Sequence, residues 1–150
     1  MLLLVLIGAG VVSVNAQSSY GVKANVPFDF IVGDQTFQAG AISARRMSGS
    51  SNEPLLISSG DYGQHAICLT LNLPSNRSFD NARLVFHRYG NRYYLAQVWI
   101  SGDSGGQLFK SRSERALERE MRRLAKNPRE MRHLAKNASE PEVITIIAGL

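Results

Sequence analysis

Hydrophobic and polar positions alternate along much of this chain. Val22, Ala24, Val26, Phe28, Phe30 and Val32 share one parity, while Lys23, Asn25, Pro27 and Asp29 hold the other. A period of two from Val22 to Val32 sets one side of the chain on a core and the other in solvent, which predicts an antiparallel strand rather than a helix. Pro27 cannot donate to a ladder, so this strand is expected at a sheet edge or bulged at that point. Gly33-Asp34 then turns the chain into Gln35–Ala39 as a hairpin.

The same pattern recurs downstream. Leu55–Ser58 and His65–Leu73 flank Gly60-Asp61-Tyr62-Gly63, and Ala82–Tyr89 and Tyr93–Ile100 flank Gly90-Asn91, a favoured two-residue hairpin loop. Pairing about that loop sets Phe86 opposite Leu95 and Arg88 opposite Tyr93. Several short strands with turn signals between them predict a mainly β fold, an antiparallel β-sandwich or a small barrel.

After Trp99 the pattern changes. Ser101–Gly106 reads as a flexible loop, and Ser111-Arg112-Ser113-Glu114 fits a capping box that opens a helix. Leu117, Met121 and Leu124 form a narrow apolar stripe on this otherwise charged segment. The helical arm is expected over about 111–137, breaking at Asn127 and restarting at Pro128. Within it, Glu120-Met121-Arg122-Arg123-Leu124-Ala125-Lys126-Asn127 recurs ten residues later as Glu130-Met131-Arg132-His133-Leu134-Ala135-Lys136-Asn137. Two copies of ten residues do not make a solenoid, so a local duplication is the expected origin. Val143–Ile147, β-branched and following Pro141, predicts a last strand returning to the sheet.

The first sixteen residues set the compartment. Leu2–Val14 is an uncharged, mostly apolar run, and Val14-Asn15-Ala16 has the small-x-small form of a signal-peptidase site. Such a run suits a secretory leader and falls short of the ~20 residues that span a bilayer. Residues 1–16 are therefore expected to be a signal peptide and residues 17–150 a single exported β-rich domain, periplasmic or extracellular, with no transmembrane segment after processing. Cys68 is the one cysteine, so no intramolecular disulfide forms and packing alone holds the domain.

Charge is concentrated in the arm. Residues 109–137 carry ten Lys and Arg against four Glu, net +6, while the remainder is net −1, giving +5 overall. Basicity of this kind selects anionic partners. An exported chain seldom meets nucleic acid, so anionic lipid or an acidic envelope polymer is the expected partner, with Arg122, Arg123, Arg129 and Arg132 as the anionic-surface candidates. A solvated helix face with Glu–Arg pairs is the simpler explanation of the same residues.

Candidate chemistry is sparse. Gly102-Asp103-Ser104-Gly105-Gly106 resembles the segment around the nucleophile of chymotrypsin-like serine proteases, which would make Ser104 the attacking residue. The domain is too short for that family's two barrels, and neither His65 nor His87 sits in its histidine context, so no catalytic residue is assigned. His65 and His87 are expected to be half-buried sheet residues. None of His65, His87 and His133 lies at metal-ligand spacing from a second donor, and neither a metal nor another cofactor is expected. Arg88, Arg92, Tyr93, Tyr94 and Trp99 belong to the densest aromatic and basic cluster and are the candidate ligand-binding residues, although cross-strand packing is the favoured explanation, since aromatic residues are common in strands.

Val26-Pro27-Phe28-Asp29-Phe30-Ile31-Val32-Gly33, Leu84-Val85-Phe86-His87-Arg88-Tyr89-Gly90 and Leu95-Ala96-Gln97-Val98-Trp99 resemble an uncharacterised family of small exported β-rich bacterial proteins. That resemblance implies export and one domain and brings no activity or site. Taken together, the sequence points to an exported non-enzymatic binding or structural module of the cell envelope or extracellular space. A lipocalin-like small-ligand carrier is the alternative, and a serine hydrolase using Ser104 the third reading.

Overall fold

The structure, a computed structural model, describes residues 21–47, 54–74, 81–101, 104–126 and 141–148. Its elements in chain order are β1 (Gly21–Val26), β2 (Phe30–Val32), β3 (Gln35–Phe37), β4 (Gly40–Arg46), β5 (Leu55–Ser59), β6 (His65–Cys68), β7 (Thr70–Pro74), β8 (Arg83–Tyr89), β9 (Arg92–Ser101), β10 (Ser104–Leu108), α1 (Arg112–Ala125) and β11 (Glu142–Ile147). The strands build two antiparallel sheets, ordered β1-β4-β5-β6 and β11-β8-β9-β10-β7. The β2–β3 hairpin joins the second sheet where Ile31 runs parallel to Tyr94 of β9. Among the described residues no ladder links one sheet to the other, so the fold is a sandwich and not a closed barrel.

The core lies between the sheets and comes from alternate residues of nearly every strand. Val22, Ala24 and Val26 of β1, Ile42 and Ala44 of β4, and Leu55 and Ile57 of β5 face Phe30, Phe37, Leu84, Phe86, Leu95, Val98, Ile100 and Leu108. Phe86 meets Phe30 edge-on at 5.2 Å and Phe28 at 5.3 Å, favoured aromatic geometries.

The even parity from Val22 to Val32 persists as burial, yet the expected single strand is two. The chain leaves the first sheet at Pro27–Asp29 and enters the second as β2. Pro27, with no N–H to give, occupies the crossing, and among the described residues β1 pairs only with β4, as an edge strand. His65–Leu73 likewise divides at Leu69 into β6 of one sheet and β7 of the other, a corner at which one run of alternating residues serves both sheets. The Gly90-Asn91 hairpin has the expected register, with Phe86 opposite Leu95 and Arg88 opposite Tyr93, until a bulge between Val85 and Phe86 shifts it. Gly90, at a φ of 63°, provides the left-handed residue that the tight loop needs.

Of Ser101–Gly106, the stretch expected as a flexible loop, Gly102 and Asp103 lie outside the described residues, while Ser101 ends β9 and Ser104–Gly106 are strand. Ser104–Leu108 form β10, paired with both β7 and β9. The reason is packing: the indole of Trp99 lies so close over Gly105 that a Cβ there would sit 2.5 Å from its ring. Gly105 is thus a surface for an aromatic side chain, and the ladder on both sides supplies the order that local composition does not.

Candidate functional site: the docked basic helix

Helix α1 begins where its cap predicts. Ser111 Oγ accepts a hydrogen bond from the Glu114 amide at 3.1 Å. The reciprocal half of the capping box is absent, because the Glu114 side chain turns instead toward the sheet. Glu114 Oε1 lies 3.0 Å from His87 Nδ1 and accepts from Tyr89 Oη at 3.2 Å. The same hydroxyl lies 3.0 Å from Glu118 Oε1, to which the Lys110 ammonium also donates. Glu114 is only 4% exposed, so a carboxylate that would be costly to bury alone is held among donors from β8.

The titration of these groups follows from that arrangement. Burial, and then the charge of Glu114, push the Tyr89 hydroxyl far above its ordinary value, which keeps it a donor. Burial alone would raise the Glu118 carboxyl. Hydrogen bonds from Lys110 and Tyr89, with the charges of Lys110 and Arg122, outweigh it and hold Glu118 below its usual range.

Docking through Glu114 and Glu118 sorts the rest of the helix. At about 100° per residue, Glu114, Leu117, Glu118, Met121, Leu124 and Ala125 fall on one side, and these are the positions that are buried or half-buried. Arg112, Arg115, Arg119, Arg122, Arg123 and Lys126 fall within an arc of about 100° on the other side, and all six are exposed. Glu120 is the one fully exposed acidic residue of the helix, and it pairs with Arg123 at 2.6 Å. A groove of about 420 Å³ runs along this face, lined by Arg112, Arg115, Glu118, Arg119 and Arg122. The sequence tally of mixed charge therefore understates the cationic character of the exposed face. The 3.6-residue period was available to reveal the segregation, but which face docks depends on Tyr89 and His87, which are distant in sequence. Arg129 and Arg132 lie outside the described residues.

The aromatic and basic cluster is divided by the sheet. Tyr93 faces the core side and stacks on Phe28 at 3.9 Å with the rings 14° apart. Arg88 lies over Tyr93 at 5.5 Å, donates to the Gly90 carbonyl at 2.8 Å and pairs with Glu142 of β11 at 3.1 Å. Tyr94 and Trp99 are buried on the opposite face, Tyr94 edge-on to Tyr89 at 5.7 Å and Trp99 beneath Arg83 at 5.0 Å. Arg92 is exposed at the hairpin end. These five residues converge on no common cleft: Arg88, Tyr93, Tyr94 and Trp99 each pack or pair within the sheet, and the Tyr94 hydroxyl, in a residue only 2% exposed, finds no hydrogen-bond partner among the described residues.

Ser104 sits in β10 opposite Ser101, at the end of β9 remote from Tyr94, the partner of His87. Seven residue steps along β9 separate the two pairs, about 20 Å at the usual rise. His65, expected to be half-buried, is exposed on edge strand β6 and bonds Ser58 Oγ at 3.0 Å. His133 lies outside the described residues. Cys68 is half-buried, and burial pushes its thiol up to about 11. Among the described residues no three His, Cys, Asp or Glu side chains gather as a metal site, and no helix is long and apolar enough to cross a membrane.

The fold and site thus define a two-sheet β-sandwich bearing a basic helix anchored by a carboxylate–tyrosine network. No protein-family model, curated protein or solved structure matches the chain.

Proposed function

We propose that this chain is an exported, non-enzymatic binding module of the cell envelope or extracellular space, and that its partner is anionic and held by α1. The observation that carries this reading is the sorting of charge on the helix. Two of its three acidic residues are turned into a bonded network, and six cations are left together on the outside. Such a face attracts anions over the Debye length and weakens as salt screens it. Export rests on the apolar leader Leu2–Val14, the Val14-Asn15-Ala16 cleavage form and the likeness to small exported β-rich proteins.

Two other readings draw less support. A lipocalin-like carrier needs an apolar chamber, whereas the space between these sheets is occupied by Phe30, Phe37, Phe86 and their neighbours. The groove on α1 and a second cleft of about 480 Å³ on the outer side of β1 and β4 both open at the surface. A hydrolase needs Ser104 beside a base, and Gly105 and Gly106 of its motif pack against Trp99 and Thr70 instead.

The test is co-sedimentation of mature protein with vesicles of graded anionic lipid content and retention on anionic and neutral polymer matrices, at low and high salt. Binding should require the anionic component and fall with salt. No retention on any anionic surface at low salt would sink the proposal, as would N-terminal sequencing that returned Met1 on protein fractionating with the cytoplasm.

A further inference from the structure

Building on that anionic reading, we infer that the exposed face of α1 binds a linear phosphate polymer, gripped at two arginine pairs, rather than a lipid bilayer. Arg112 with Arg115, and Arg119 with Arg122, are each about 4.5 Å apart along the helix axis, and the pairs are about 10 Å apart. All four are exposed and line one groove of about 420 Å³ together with Glu118, whose carboxylate is already bonded by Tyr89 and Lys110. Among the described residues, neither Arg112, Arg115 nor Arg119 is paired with a carboxylate.

Three features favour a phosphate chain. Guanidinium presents a planar fork of donors that grips oxyanions through paired hydrogen bonds, and five of the six cations on this face are arginines. Two forks spaced by one helical turn converge on a tetrahedral anion, which offers oxygens in both directions, whereas a planar carboxylate satisfies one fork at a time. A groove also accommodates a chain in extension better than a flat layer of head groups. A helix that lies in a bilayer inserts its apolar side. Here Leu117, Met121 and Leu124 are on the half-buried side with Glu114 and Glu118, opposite the arginines. No apolar wedge accompanies the cations outward.

The test uses the full mature chain, with long-chain inorganic polyphosphate, polyglutamate of similar length, and vesicles containing anionic lipid as probes. Polyphosphate should bind most tightly. Taking a loss of about 0.7 in the salt slope per neutralised charge, as for single strands, five contacts predict a slope near −3.5, roughly a 100-fold fall in affinity between 50 and 200 mM salt. Replacing Arg112, Arg115, Arg119 and Arg122 with Gln should reduce that fall to roughly 3-fold, with the circular dichroism spectrum unchanged. A second variant with the same four positions changed to Lys preserves charge and helix propensity. It should keep the slope but lose affinity at least severalfold.

Polyglutamate bound as tightly as polyphosphate, or a Lys variant of wild-type affinity, would overturn the paired-fork assignment. Vesicles bound in preference to polyphosphate would overturn the polymer and leave the anionic reading standing. Absence of binding to all three probes at low salt would remove both.

Discussion

Tyr89 holds α1 to the sheet, and replacing it with Phe isolates that role. The substitution keeps the ring, its edge-on contact with Tyr94 at 5.7 Å and its burial, and deletes one hydroxyl. That hydroxyl lies 3.2 Å from Glu114 Oε1 and 3.0 Å from Glu118 Oε1, and its single proton is shared between two acceptors. A hydrogen bond to a charged group contributes about 1.5–3 kcal/mol, and Glu114 and Glu118 keep His87 and Lys110 as partners, so the expected loss is ~2 kcal/mol. For a domain of this size that lowers Tm by roughly 6–10 °C. Amide exchange within α1 should accelerate by about 30-fold, if the helix opens as a local unit. Tyr94→Phe is the control. Its hydroxyl is buried without a partner among the described residues, so its removal should be neutral or stabilising by up to ~1 kcal/mol. Urea titration of both variants, with exchange measured across residues 112–125, reads the difference. Equal losses in the two variants, or a change under ~0.5 kcal/mol for Tyr89→Phe with unaltered helix exchange, would refute the anchoring argument.

Gly105→Ala should destabilise by about 1–3 kcal/mol, because its Cβ would lie 2.5 Å from the Trp99 ring; Ser104→Ala should leave thermal stability nearly unchanged, and a melt of each variant checks both. Acid should release α1. The folded Glu118 carboxyl lies below its ordinary 4.5, so its contribution is complete above pH 4.5 and lost as pH falls through the lower folded value; amide exchange of α1 between pH 6 and 3 tests this, and release centred above pH 6 would contradict it. Cys68, with its thiol raised from 9.0 to about 11, should be alkylated about 50-fold more slowly at pH 9 in folded than in denatured protein, as read by mass spectrometry of iodoacetamide adducts.

Much of the fold was legible from local pattern. The register of β8 with β9 follows from a two-residue loop, which fixes which residues face each other without reference to anything distant. The start of α1 follows from Ser111, since a cap is completed within four residues. The final strand follows from the β-branched run at Val143–Ile147, and β11 pairs with β8 along that whole run. β4 escaped the sequence reading because Gly40–Arg46 is rich in small and polar residues. Its alternation of Ile42, Ala44 and Arg46 is buried, Ile42 and Ala44 in the core against residues of the other sheet, which nothing local to the segment announces.

The sequence by itself determined the inward parity from Val22 to Val32, where the tight turns fall and where the helix begins, because each depends on chain geometry over a few residues. Tertiary structure alone decided which sheet each strand joins. A period of two reports that one face is buried and is silent on what buries it, so β1 and β2, or β6 and β7, read as continuous until the chain crosses between sheets. It also decided the fate of single groups. Gly105 is ordered by a tryptophan six residues earlier that folds back across the ladder, and Glu114 leaves its own cap for a histidine and a tyrosine twenty-five or more residues away. Charge along a sequence is a sum, whereas charge on a surface is what remains after burial has paired the rest. For α1 that difference turns a mixed helix into a cationic face.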